Sequence, residues 1–128
     1  MIIFLLKNHS YKLSLLWALV IFTLCSMPGS LIPAVSWLEL LSFDKWVHAS
    51  VFFTLVSLLG IAVNAHQQNK NLFYLYFVLS ILYGGLLELM QAKVFSERSA
   101  DWYDMIANSF GCLTALLLHR KMTRLIFR

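Results

Sequence analysis

Four long apolar runs, separated by short polar stretches, divide the chain. They cover residues 11–27 (YKLSLLWALVIFTLCSM), 46–63 (WVHASVFFTLVSLLGIAV), 72–91 (LFYLYFVLSILYGGLLELMQ) and 102–118 (WYDMIANSFGCLTALLL). As helices rising about 1.5 Å per residue, each reaches about 25–30 Å, close to the hydrocarbon thickness of a bilayer. Pro28 and Gly29 close the first run. The polar turn NAHQQNKN joins the second to the third, and a charged loop over residues 92–101 joins the third to the fourth. The connector over residues 28–43 sets Trp37, Leu38, Leu40 and Leu41 around Ser36 and Glu39. That spacing predicts a short interfacial helix near 35–42, with an irregular loop as the alternative. The pattern predicts an all-α membrane protein with four transmembrane helices, forming a single domain over residues 1–128.

Composition points the same way. The chain is 60% hydrophobic and 12% charged, with a mean hydropathy of +0.75. Soluble domains carry about 25% charged residues, and a soluble chain this short could not bury so much apolar surface. The net charge of +4 does not imply nucleic acid, because the cations gather at the ends of the apolar runs, where they act as topology signals. Cys25 and Cys112 lie inside apolar runs without CxxC or Cys/His spacing, which reads as buried free thiols rather than a disulfide framework or zinc site. Lys7 and Lys12 precede the first run, but no small-residue cleavage pattern follows, and Leu24 precedes Cys25. The first run is therefore read as an uncleaved span.

The ten Lys and Arg residues also set an expected orientation. Lys7, Lys12, Lys70, Arg120, Lys121, Arg124 and Arg128 fall on one side of a four-span bundle, and Lys45, Lys93 and Arg98 on the other. The positive-inside rule then places both termini in the cytoplasm of a bacterial cell, in the cytoplasmic membrane. With that topology, Asp44, His48, Glu88, Gln91, Arg98, Asp101, Asp104 and Asn108 all fall at the outward face. Asp44 and His48 share a helix face four residues apart. Asp101, Asp104, Asn108, Gly111 and Ala115 form a stripe on the fourth helix. Packing the third and fourth helices antiparallel predicts Glu88 opposite Asn108 and Gln91 opposite Asp104. Gly84 and Gly85 are expected to admit a neighbouring helix closely.

A charged side chain in a bilayer costs about 2.5–3.5 kcal/mol, so this polar basin requires an explanation. His48, Glu88 and Asp104 are the candidate catalytic groups, with His48 and Glu88 as general acid or base. Asp44, Lys45, Gln91, Arg98, Asp101 and Asn108 are the candidate substrate-binding residues. Arg98, with Lys45 or Lys93, would hold a phosphate or carboxylate. No cofactor is expected. His48, Glu88, Asp101 and Asp104 carry donor atoms that suit a divalent metal, but no local ligand spacing such as HExxH is present. Neither Cys25 nor Ser99 has an evident base for covalent catalysis. The polar residues stop about two turns into the bundle, which argues against a pore or transporter.

The order Asp44-Lys45-x-x-His48, Phe52, Glu88-x-x-Gln91, Arg98-Ser99-x-x-x-x-Asp104-x-x-x-Asn108-x-x-Gly111, with Ser26-Met27-Pro28 at the end of the first run, resembles the VanZ-like family of small integral membrane proteins. The resemblance covers residues 15–118. It implies a compact multi-helix membrane domain related to proteins linked to teicoplanin resistance, and it does not supply a reaction. The expected function is binding, with modification as an open further step, of a membrane lipid or lipid-linked cell-envelope precursor at the outward site. The alternative is a membrane scaffold or partner-binding protein whose polar cluster only locks the helices.

Overall fold

The computed structural model describes residues 1–32 and 42–127. Four α-helices carry the fold: α1 (Ile2–Ser26), α2 (Phe43–His66), α3 (Lys70–Lys93) and α4 (Trp102–Ile126), with one 3-10 turn at Gly29–Leu31. No strand occurs among the described residues. Helices α1, α2 and α3 are long and apolar enough to cross a membrane. Residues 35–41 of the expected interfacial helix lie outside the described residues.

Each helix outruns its apolar run. α1 starts nine residues before the predicted Tyr11, and α4 continues eight residues beyond the predicted Leu118. Hydropathy marks only the part of a helix that suits lipid, whereas helical hydrogen bonding continues through good helix formers until a breaker intervenes. No Gly or Pro occurs in residues 2–26 or 112–126. Two starts are capped by side chains. Asn69 accepts from the backbone N–H groups of Asn71 (3.0 Å) and Leu72 (3.4 Å), and Asp101 accepts from Tyr103 N–H at 2.8 Å. Both satisfy donors that a helix N-terminus leaves unpaired.

α2 is the hub, packing most extensively against α4, then α1, then α3. Phe52, Val56 and Cys112 are fully buried at its contacts, with Ile21 and Leu87 beside them. Gly111 lets α4 ride directly on the backbone of Ala49; a Cβ there would collide with the Ala49 carbonyl oxygen. Gly84 packs against the Phe52 ring and Asn108, where a Cβ would meet atoms at 3.2–3.3 Å. A Cβ added at Gly85 would meet nothing within 4 Å, so no close helix contact requires glycine there.

Hydrogen bonds from side chains to backbone carbonyls fasten α1 to its neighbours. Trp17 Nε1 donates to Val51 C=O at 2.9 Å, Tyr83 Oη to Ala18 C=O at 2.7 Å, and Gln91 Nε2 to Cys25 C=O at 3.1 Å. Beyond Pro28, the Ser30 N–H donates to Glu97 Oε2 at 3.1 Å, tying the turn after α1 to the loop between α3 and α4.

The outer surface is apolar along the helices. Leu16, Leu19, Leu75, Leu82, Ile106, Phe110, Leu113 and Leu117 are all exposed. Soluble monomers rarely expose contiguous apolar patches beyond a few hundred Å².

The glycine contacts predict an order of effects in detergent thermal melts. Gly111→Ala should destabilise most, by about 1–3 kcal/mol, because a helix backbone must move. Gly84→Ala should cost less. Gly85→Ala should be neutral or stabilising by up to about 1 kcal/mol through helix propensity.

Candidate functional site

The first two turns of α2, the end of α3, and the start of α4 meet at one end of the bundle. Asp44, Lys45 and His48 come from α2, Glu88 from α3, Asp101 from the cap of α4, and Asp104 and Asn108 from its first two turns. Antiparallel connections bring these termini together. The buried stripe Asp104, Asn108, Gly111 and Ala115 turns the polar side of α4 inward.

Lys45 is the centre of the cluster. Its Nζ lies 2.7 Å from Asp44 Oδ2, 2.6 Å from Asp101 Oδ2 and 2.5 Å from Asp104 Oδ1. Three donors on one ammonium thus meet three carboxylates, each a charge-assisted bond. Lys45, expected to help hold an anionic ligand, here directs its three hydrogens to carboxylates of the protein itself.

Below it, His48 reaches two of the buried polar residues of α4, Asn108 and Asp104. Nδ1 lies 3.0 Å from Asn108 Oδ1, and Nε2 lies 3.5 Å from Asp104 Oδ2. With the Asn108 amide oxygen accepting from Nδ1–H, Nε2 faces a carboxylate. Glu88, only 2% exposed, accepts from the Asp101 backbone N–H through Oε2 at 3.2 Å. One donor atom from each of His48, Glu88 and Asp104 lies within 4.8 Å of the others. That set of one imidazole and two carboxylates suits a divalent cation as well as proton transfer. Asp44, Asp101 and Asp104 form a second close trio, with the Lys45 ammonium among them.

The helix register differs from the sequence expectation by one turn. Asn108 packs on Gly84 rather than on Glu88, and Glu88 meets the Asp101–Asp104 turn. The close approach at Gly84 favours this register, since a Cβ there would press on the Asn108 side chain at 3.3 Å. Gln91 turns away from the cluster to the Cys25 carbonyl and serves the α1 contact. Arg98 is half-buried in the α3–α4 loop and forms no ion pair among the described residues; in particular, it does not neutralise Glu88. The capping role of Asp101 was legible in the Asp-Trp-Tyr-Asp sequence at a helix start. The carbonyl bonds of Trp17 and Tyr83 had no comparable signal.

Asp101, outside the helices, has its carboxyl held below the usual carboxylate range, first by the Lys45 hydrogen bond and then by the Tyr103 N–H. Glu97 is lowered by its bonds to Ser30.

Comparison with protein-family models, curated proteins and solved structures finds no match for this chain.

Two predictions follow from the charge arrangement. Lys45→Gln leaves neighbouring carboxylates without their counter-ion. It should destabilise by about 1–3 kcal/mol, less than the 3–5 typical of a fully buried pair because Lys45 is partly exposed. Adding Asp104→Asn should recover part of that loss in a double-mutant cycle. A lowered folded-state pKa contributes stability above the unfolded value of about 3.9 that is lost as pH falls through the folded value. Melting temperature should therefore drop on acidification below about pH 4. Asp101→Asn, which keeps a competent helix cap, should flatten that acid limb.

Proposed function

We propose that this chain is a four-span protein of the bacterial cytoplasmic membrane, with both termini in the cytoplasm, whose outward-facing polar cluster binds a lipid-linked cell-envelope precursor. The proposal includes a VanZ-like relationship and, with it, a role in teicoplanin resistance. The fourth span is α4. Its Asp104 and Asn108 are buried, while Ile106, Phe110, Leu113 and Leu117 face out. From Trp102 to Arg120 it extends about 27 Å, close to the thickness of the hydrocarbon layer. Phe43, Trp46, Trp102 and Tyr103 are exposed around the cluster, as aromatic residues are at a membrane interface.

The observation that carries the site reading is the convergence of His48, Glu88 and Asp104 from three helices, with donor atoms within 4.8 Å. An imidazole facing one carboxylate beside a second, buried carboxylate is a donor set suited to general acid–base work. Arg98, rather than the saturated Lys45, is the cation available to a phosphate or carboxylate on the ligand. The envelope precursor supplies that anion, with an apolar tail in the bilayer and polar groups at the depth of the cluster.

A second reading has its own support. Lys45 is fully bonded within the protein, and Gln91 is committed to α1, as in a scaffold whose polar groups lock its helices.

Substitution separates the two. Glu88→Gln and Arg98→Ala should abolish teicoplanin protection in a sensitive host expressing the chain. Melting temperature should stay within about 4 °C, corresponding to less than about 1 kcal/mol. If protection instead follows folded amount alone, the lock reading stands. Orientation has its own measurement. Cys25 and Cys112 are buried, so a cysteine introduced by Ser99→Cys should be the main target of an impermeant thiol reagent applied to intact cells. Labelling only after lysis would reverse the topology.

A further inference from the structure

The end of the bundle opposite the polar cluster carries an unanswered positive charge. Every described acidic side chain, Asp44, Glu88, Glu97, Asp101 and Asp104, lies at the cluster end. Asp104 and Arg120 are separated along α4 by about 24 Å. At the far end, Arg120, Lys121 and Arg124 sit on the last two turns of α4. They form no ion pair among the described residues. Lys7 of α1 lies over the Phe127 ring at 4.9 Å from its centroid, adding a further cation.

Arg120, Lys121 and Arg124 line a groove of about 840 Å³, and Lys7 lies against its Phe127 wall. Asn64 of α2 forms part of its wall, and Leu117, Leu125 and Phe127 supply apolar surface beside Arg120, Lys121 and Arg124. A soluble anion would use the cations but not the apolar wall. A neutral lipid would use the wall but leave the cations unmatched. The lining thus has the two-part chemistry of an anionic phospholipid: guanidinium and ammonium groups for the phosphate, and leucine and phenylalanine for the upper acyl chain.

We propose that this groove is a binding site for the headgroup of an anionic phospholipid of the inner leaflet. The inference rests on the membrane reading above, but not on the chemistry of the outward cluster. It gives the basic end a specific ligand in addition to its part in topology.

The test uses the full chain, purified in a neutral detergent, with a fluorescent phosphatidylglycerol as probe. Phosphatidylcholine of matched chains and inorganic phosphate serve as competitors. Unlabelled phosphatidylglycerol should displace the probe, and the other two should not. Each basic residue near a membrane surface contributes about 1 kcal/mol, which corresponds to about fivefold in affinity. Arg124→Gln should thus weaken binding about fivefold and Arg120→Gln/Lys121→Gln/Arg124→Gln far more. Lys70→Gln, the same charge change at the same end but outside the groove lining, should leave it unaltered. Equal displacement by phosphatidylcholine overturns the headgroup site. Displacement by inorganic phosphate makes it a free-anion site, and an equal response to Lys70→Gln makes it a general charge effect; either result also overturns the proposal. Alkaline carbonate extraction of cell membranes checks the shared premise separately. A chain that resists extraction but does not select phosphatidylglycerol loses only this inference, whereas an extractable chain loses the membrane reading as well.

Discussion

One ammonium group holds together the polar end of this bundle. Lys45 Nζ is bonded to Asp44 on its own helix, Asp101 at the cap of α4, and Asp104 one turn further in. Without it, three carboxylates would crowd one another with no counter-ion between them. With it, the start of α4 is fixed against the start of α2, and Asp104 is oriented with its second oxygen toward His48. The order of dependence runs outward from there: His48 reaches Asn108, Asn108 packs on Gly84, and Glu88 is left facing the cap of α4.

The remaining architecture answers a different constraint. Apolar side chains cover the outside, and polar ones are turned in or placed at the ends. A bilayer offers no driving force for helices to associate through leucines alone, so association depends on small residues and interhelical hydrogen bonds. Both devices are present. Gly111 brings α2 and α4 into backbone contact, and Trp17, Tyr83 and Gln91 each donate across a helix interface to a carbonyl. The Gln91 bond shows how closely the structural and chemical roles lie together: one turn separates a residue that fastens α1 from the buried Glu88 of the cluster.

The two ends are electrostatic opposites. Acidic groups concentrate where the starts of α2 and α4 meet the end of α3; cations concentrate where α4 runs on past its apolar segment. That division makes the two proposed ligands chemically distinct. The acidic cluster combines an imidazole with buried carboxylates, whereas the basic end offers positive charge and an apolar wall.

Much of this was legible in the chain itself. Hydropathy located four helices, and the polar stripe on α4 identified Asp104, Asn108, Gly111 and Ala115 as inward-facing, because helical period converts spacing into a face. The sequence also placed Asp44, His48, Glu88 and Asp104 at one end, since antiparallel helices with short connections bring alternate termini together. Helix ends were less legible, because hydropathy reports suitability for lipid and not the extent of backbone hydrogen bonding. Partner choice lay beyond the sequence altogether. That Lys45 would be spent on three carboxylates, that Gln91 would leave the cluster for Cys25, and that Gly84 rather than Gly85 would take the contact all depend on the rotation and axial offset between helices. A shift of one turn, about 5.4 Å, preserves every face while exchanging every partner, and only tertiary packing selects among such registers.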